Sequence, residues 1–195
     1  LAFLLTLTAV ALWALNMPVV KIAVVGWNPM AFSFVRFAAG AVIYLIFVLV
    51  REGSLRVQRR DIPLFLIGGT VGIALNQYSF MYAVEQTTAS TVTLLFATTP
   101  LWAALLARLL GWEFVKPWFW GAIGICTLGV LLVLIGSGAT LSFSSLLGDV
   151  YALGAAVTWG AYSVLVRPLL RRYSATHVSA IMMLVGTPMI AILGV

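Results

Sequence analysis

Seven long apolar runs divide the chain, separated by short polar stretches. The runs cover approximately residues 2–24, 31–50, 62–84, 88–110, 117–136, 147–166 and 175 onward. Each holds about 20 residues, the length an α-helix needs to cross a hydrocarbon core of ~30 Å at ~1.5 Å per residue. The pattern predicts an all-α polytopic membrane protein with six complete transmembrane helices plus a seventh. The punctuation is of the kind that ends helices. Gly26-Trp27-Asn28-Pro29 is a turn signal, Glu85-Gln86-Thr87 is a tight polar link, and Pro117 suits a first helical turn. The stretch from Ser137 to Ser145 is Gly/Ser-rich and carries no charge. The first run is too long for a signal-peptide core, holds Asn16 and has no clear small-residue cleavage site after it, so it reads as a retained helix.

Composition strengthens this picture. Hydrophobic residues make up 63% of the chain and charged residues 8%, against about 25% charged in a soluble domain. The lipid bilayer is the expected solvent. The chain opens on Leu1 and stops inside an apolar run, which predicts a piece of a longer protein.

Charge adds orientation. Of the 11 lysines and arginines, Arg51, Arg56, Arg59 and Arg60 lie between the second and third runs, Arg108 and Lys116 between the fourth and fifth, and Arg167, Arg171 and Arg172 between the sixth and seventh. The alternate links carry none. The positive-inside rule therefore puts these three loops, and the N-terminus with them, in the cytoplasm. The expected location is a plasma membrane of the bacterial inner-membrane type. The net charge of +6 is a topology signal with no basic patch interleaved with aromatics, so no nucleic-acid partner is expected.

One stretch, Leu12 to Lys21, recurs. With a shift of 146 and no gap, Trp13 falls on Trp159, Ala14 on Gly160 and Lys21 on Arg167, while Ala2 falls on Gly148 and Ala9 on Ala155. The shift lays the first helix on the sixth. Five helices per unit is an odd number, so the second unit crosses the membrane inverted. The expected division is a first five-helix repeat over 1–136, an inter-repeat loop over 137–146, and the start of a second, inverted repeat over 147–195. Inverted repeats of this kind build secondary transporters. Gly148, Ala152, Ala156 and Gly160 recur at every fourth position, as do Gly68 and Gly72, a spacing that lets helices approach closely in lipid.

Candidate chemistry is sparse. One cysteine and one histidine leave no room for an internal disulfide, a cysteine metal cluster or a histidine-based triad, and no metal or cofactor is expected. Neither a phosphate-binding Gly-Lys-Ser/Thr loop nor a Gly-x-Ser-x-Gly or His-Glu-x-x-His motif is present, so no enzyme is expected. The five acids fall in loops or near helix ends and read as interfacial charges, with Glu113 expected to pair with Arg108 or Lys116.

Polar groups at membrane depth carry what remains, because hydrocarbon penalises them. Asn16 lies near the middle of the first run. Arg36 starts roughly 7–8 Å inside the outer end of the second. Gly69, Gly72, Asn76 and Ser79 share one small, polar face of the third. In the fourth, Thr91, Thr98 and Thr99 precede Pro100, whose missing N–H frees a carbonyl. Trp13, Tyr78, Tyr82, Trp159 and Tyr162 offer rings for stacking. The candidate substrate-binding set is Trp13, Asn16, Lys21, Arg36, Asn76, Tyr78, Thr98, Trp159 and Tyr162, around a central cavity. Arg36, helped by Lys21, is expected to hold a carboxylate. The competing structural account gives Asn16 and Asn76 to inter-helix hydrogen bonds, the prolines to kinks, and Lys21 to the interface or to Glu85.

These residues resemble EamA-type members of the drug/metabolite transporter superfamily. The resemblance rests on Trp13, Asn16 and Lys21; on Pro29, Phe32 and Arg36; on Tyr82-Ala83 followed by Pro100 and Glu113; and on Gly121 with Gly129-Val130, with Trp159 restarting the pattern. Ala14 stands where relatives often have glycine. The resemblance implies a ten-helix carrier of two inverted five-helix repeats, whose substrates range over amino acids, drug-like cations and sugar phosphates. The expected function is secondary transport of a small, amphipathic, amino-acid-like metabolite by alternating access. The alternative is a non-transporting membrane scaffold or assembly subunit, which would use its polar residues in helix contacts. Self-association is left open.

Overall fold

The helices follow the apolar runs and differ from them mainly at their ends. The computed structural model describes residues 2–112, 117–136 and 143–194, which contain no strand. The expected pairing of Glu113 and most of the inter-repeat loop lie outside these residues. Helix α1 is Ala2–Ala23 and α2 is Pro29–Glu52. Helix α3 runs from 62 to 86 as Ile62–Gly69, a π-helical turn Thr70–Leu75, and Asn76–Gln86. Helix α4 is in two pieces, Ala89–Phe96 and Thr99–Leu109. Then come α5 (Pro117–Gly136), α6 (Phe143–Leu165), the single turn Arg167–Leu170, and α7 (Ala175–Leu193).

Six described stretches are long and apolar enough to cross a membrane: Phe3–Ala23, Pro29–Glu52, Arg59–Gln86, Ala89–Leu109, Leu146–Leu170 and Ala175–Leu193. This is a multi-pass membrane protein.

Local chemistry sets the ends. Asn28 caps α2 by accepting from the N–H groups of Met30 and Ala31, with Pro29 in the first turn. The predicted turn is thus itself the cap, and α2 starts two residues earlier than its apolar run. Gly53, at φ 72°, closes the other end through its N–H to the Leu49 carbonyl. Helix α6 begins at Phe143, so the last residues of the expected 137–146 loop are already helical.

Helix α3 is the centre of the bundle and α1 lies on its rim, with 50% and 6% of their spans buried. Glycines let the π turn of α3 sit directly on α6 and α7. A Cβ on Gly72 would stand 2.2 Å from Tyr162, and one on Gly69 would stand 2.7 Å from Val185. From the other side, a Cβ on Gly186 would meet Ile73 at 2.4 Å. The small face of α3 is therefore a packing surface, as small residues in lipid-embedded helices usually are.

Helices α2 and α7 run antiparallel. Glu52 at the end of α2 accepts from the hydroxyls of Ser174 and Thr176 and meets His177 Nδ1 at 3.1 Å, all at the start of α7. At the opposite end, Gly194 abuts Met30.

The links pair by side as the charge pattern predicts. Asp61 binds Arg172 and accepts from the Tyr173 hydroxyl at 2.8 Å, and that hydroxyl accepts from the Gln58 N–H. These contacts join the links after α2 and after α6 at one end. At the other end the Thr87 hydroxyl donates to Asp149 at 3.2 Å, and Gly148 packs on Gln86 and Thr87. One acid departs from its expected interfacial place. Asp61 is 1% exposed, because both its oxygens have partners that offset the loss of water.

Candidate functional site

Arg36 organises a polar cluster between α1, α2 and α3. It sits two turns into α2, inside an otherwise apolar helix. Its Nη1 donates to Asn16 Oδ1 of α1 at 3.2 Å, and its Nη2 donates to Gln77 Oε1 of α3 at 2.7 Å. The Ser33 hydroxyl, one turn earlier on α2, donates to the same Gln77 oxygen at 2.9 Å. The guanidinium carbon lies 5.3 Å from the Phe37 ring centroid and 5.8 Å from that of Phe32. Nε is buried and has no partner among the described residues. Two neutral amides and two ring faces thus surround a positive charge, and no carboxylate among the described residues forms an ion pair with it.

A pocket of about 410 Å³ adjoins Arg36, lined by Ala23, Trp27, Phe32 and Val35. It lies between the end of α1, the first link and the start of α2. The expected central cavity would draw on α6 as well, and α6 packs closely on α4 and α3: a Cβ on Gly160 would stand 2.9 Å from Ala103 and Trp102, and one on Gly154 would stand 3.3 Å from Ser79.

The other candidates divide into two groups. Trp13, Trp159 and Tyr162 come together. Trp13 packs on Phe96 with ring centroids 5.8 Å apart, Phe96 on Trp159 at 6.4 Å, and Trp159 on Tyr162 at 5.0 Å. Phe80 joins at 6.3 Å. This aromatic junction links α1, α4 and α6, directly before the break in α4. Pro100 causes that break and would leave the Phe96 carbonyl without its helical donor. The Thr99 hydroxyl supplies the bond instead, at 2.6 Å, and the Thr98 hydroxyl adds a bond to the Leu95 carbonyl, which also accepts from the Thr98 N–H.

The second group is engaged elsewhere. The Lys21 ammonium donates to the carbonyls of Val84 and Thr87, the orphan acceptors at the C-terminal end of α3. Asn76 donates to the Ala155 carbonyl at 2.8 Å and to the Thr158 hydroxyl, tying α3 to α6. Thr98 accepts from Trp102 Nε1 while serving the α4 break. Tyr78 packs on Tyr82 in a tilted contact at 4.6 Å and edge-on to Tyr151 at 6.1 Å between ring centroids.

Sequence reasoning missed Gln77 and Ser33. Gln77 lies off the 69/72/76/79 face that a regular helix presents. The signal available was two consecutive amides, Asn76-Gln77, in an apolar run, since both need partners in lipid. Asn76 turns to α6, and Gln77 turns to α2.

Comparison with known proteins adds context to this geometry. Residues 1–135 match the EamA-like transporter family. A "Probable terminal-alkyne amino-acid exporter" of Streptantibioticus cattleyicolor is 27% identical over 187 residues, 94% of this chain and 60% of that protein. The "Uncharacterized transporter YdfC" of Bacillus subtilis is 29% identical over 139 residues, 71% of this chain and 45% of its own length. The "Uncharacterized inner membrane transporter YedA" of Escherichia coli is 27% identical over 177 residues, 90% of this chain and 52% of its own length. The chain thus spans about half the length of these curated relatives. No solved structure matches it.

Proposed function

Because the chain belongs to the EamA-like transporter family, we propose that it forms part of a secondary carrier that moves a small, amphipathic, amino-acid-like metabolite by alternating access. The observation that carries this reading is Arg36. A cation held at membrane depth by neutral amides, beside a pocket of about 410 Å³, is costly unless it serves a ligand. One relative is named as an amino-acid exporter, which supports an amino-acid-like substrate. Asn16, Arg36 and Gln77 make the polar end of the proposed site. Trp13, Trp159 and Tyr162 form an aromatic wall that separates or rejoins as the carrier changes state. Lys21, Asn76 and Thr98 hold the helices that present these groups, and Tyr78 packs behind them.

Two relationships support a ten-helix carrier of inverted five-helix repeats. Trp13 and Trp159, equivalent under the 146-residue shift, pack on the same ring. Helices α2 and α7, which the same shift overlays, run antiparallel. In this reading the basic links face the cytoplasm of a bacterial-type inner membrane.

The scaffold alternative draws on the inter-helix bonds of Asn76, Lys21 and Arg36, and it leaves the Arg36 charge without a counter-ion among the described residues. The test is uptake of an amino-acid panel by the full-length protein in proteoliposomes. Saturable, substrate-selective flux above empty liposomes is expected. Binding or assembly without flux for any member would overturn the carrier reading.

A further inference from the structure

We propose that the pocket beside Arg36 is an anion site, which takes the carboxylate of a ligand whose apolar body lies against Trp27, Phe32 and Val35. This deepens the carrier reading and rests on it only for the step of transport.

The argument starts from an electrical imbalance. A guanidinium has five N–H donors and one full charge. Asn16 and Gln77 each take one bond, and Phe32 and Phe37 present ring faces, so partial dipoles solvate the group and no acid among the described residues neutralises it. Nε is buried with no partner among the described residues. A charge without a counter-ion favours an incoming anion, and a planar fork suits a carboxylate.

The pocket supplies the other half of the ligand's chemistry. Its lining residues besides Arg36 are Ala23, Trp27, Phe32 and Val35, which carry no acid and no second cation. It therefore matches a compact apolar body bearing one negative end. A second buried polar atom lies at the same depth. Gly40 faces Met183 and Met30 faces Gly194 along the antiparallel α2–α7 pair, so Arg36 falls level with Thr187. The Thr187 hydroxyl is buried and has no partner among the described residues.

The same chemistry is present in a free carboxylate and in an anionic lipid headgroup, and the test separates them. Full-length protein in phosphatidylcholine nanodiscs is titrated with 4-methylpentanoate and with its neutral isostere 4-methylpentanamide, by ligand-observed NMR. The carboxylate should bind about tenfold or more tightly than the amide, the scale of one charge-assisted interaction. Arg36→Gln should bring the two within about twofold, and Arg36→Lys should retain part of the preference. Equal affinities in the wild-type protein, no carboxylate binding, or a preference that survives Arg36→Gln would each overturn the site. The wild-type comparison decides the matter even if Arg36→Gln does not fold. Nanodiscs containing phosphatidylglycerol form a further arm. Competition there identifies the headgroup as an occupant of the same anion site, and its absence identifies the soluble carboxylate. Binding without flux would sink the carrier and leave the anion site standing. Flux restricted to cations or neutral compounds would do the reverse.

Discussion

Trp13 and Trp159 pack against one ring, Phe96, at centroid distances of 5.8 and 6.4 Å. The two tryptophans head the two copies of the repeated pattern, and Phe96 belongs to the helix that breaks immediately after it. Rim helix α1 therefore meets the rest of the bundle through an aromatic contact that α6 shares. Removing the ring should loosen α1 first. Phe96→Ala is expected to lower unfolding stability by about 1.5–4.5 kcal/mol, summing its three aromatic pairs, with Trp13, Phe80 and Trp159, at ~0.5–1.5 kcal/mol each. Phe96→Leu should lose about half as much. Thermal unfolding in detergent checks this, with Trp13 fluorescence as a local probe in a variant whose other tryptophans are replaced by phenylalanine. An unchanged Trp13 signal in Phe96→Ala would remove the junction from the account.

Lys21 acts on the end of α3. Its ammonium serves two carbonyls that the helix cannot satisfy itself. Lys21→Met keeps the length of the stem and removes the donors, and is expected to cost about 1.5–3 kcal/mol, the range for hydrogen bonds to a charged group. Hydrogen exchange should then rise over residues 84–88 specifically. Protection there equal to wild type would show that the carbonyls find other donors.

Buried Asp61 and part-exposed Arg172 form a pair that fastens the link after α2 to the link after α6. Asp61→Ala should cost about 3 kcal/mol. That is the low end for a broken buried pair, because the Arg172 side chain stays 30% exposed. Asp61→Ala and Arg172→Ala should each be damaging, and their double variant should lose clearly less than the sum. A double-mutant cycle in urea or by thermal melt measures this coupling, and strict additivity would count against it.

The orientation proposed from the charge pattern yields a labelling pattern. In a Cys126→Ala background, Asn28→Cys and Gln86→Cys should react with an impermeant thiol reagent applied outside, and Arg56→Cys and Arg171→Cys only after permeabilisation. Reaction of Arg171→Cys from outside would reverse the assignment.

The sequence by itself determined the helices and their alternation, because both are local properties that the bilayer enforces. A run of about 20 apolar residues crosses, a cation-rich link stays on one side, and a Pro or an Asn cap marks an end, whatever the rest of the chain does. Residues 88–110 read as one run with a freed carbonyl at Pro100; the structure divides it into two pieces there. The placement of Asn16 beside Arg36 was also within reach, since two lone polar groups at similar depth need partners. Only the tertiary structure decided which polar side chains meet. Gly72, Asn76 and Ser79 all meet α6, as the face they share suggests, while Gln77, about 100° round the helix from Asn76, meets Arg36 of α2. Lys21 likewise reads as a cation near an interface until the end of α3 is brought beside it, 63 residues further along the chain. Asp61 reads as a surface acid until Arg172 and Tyr173 enclose it. Partner choice depends on helix rotation and on contacts between distant segments, and no local pattern of apolar and polar positions contains either.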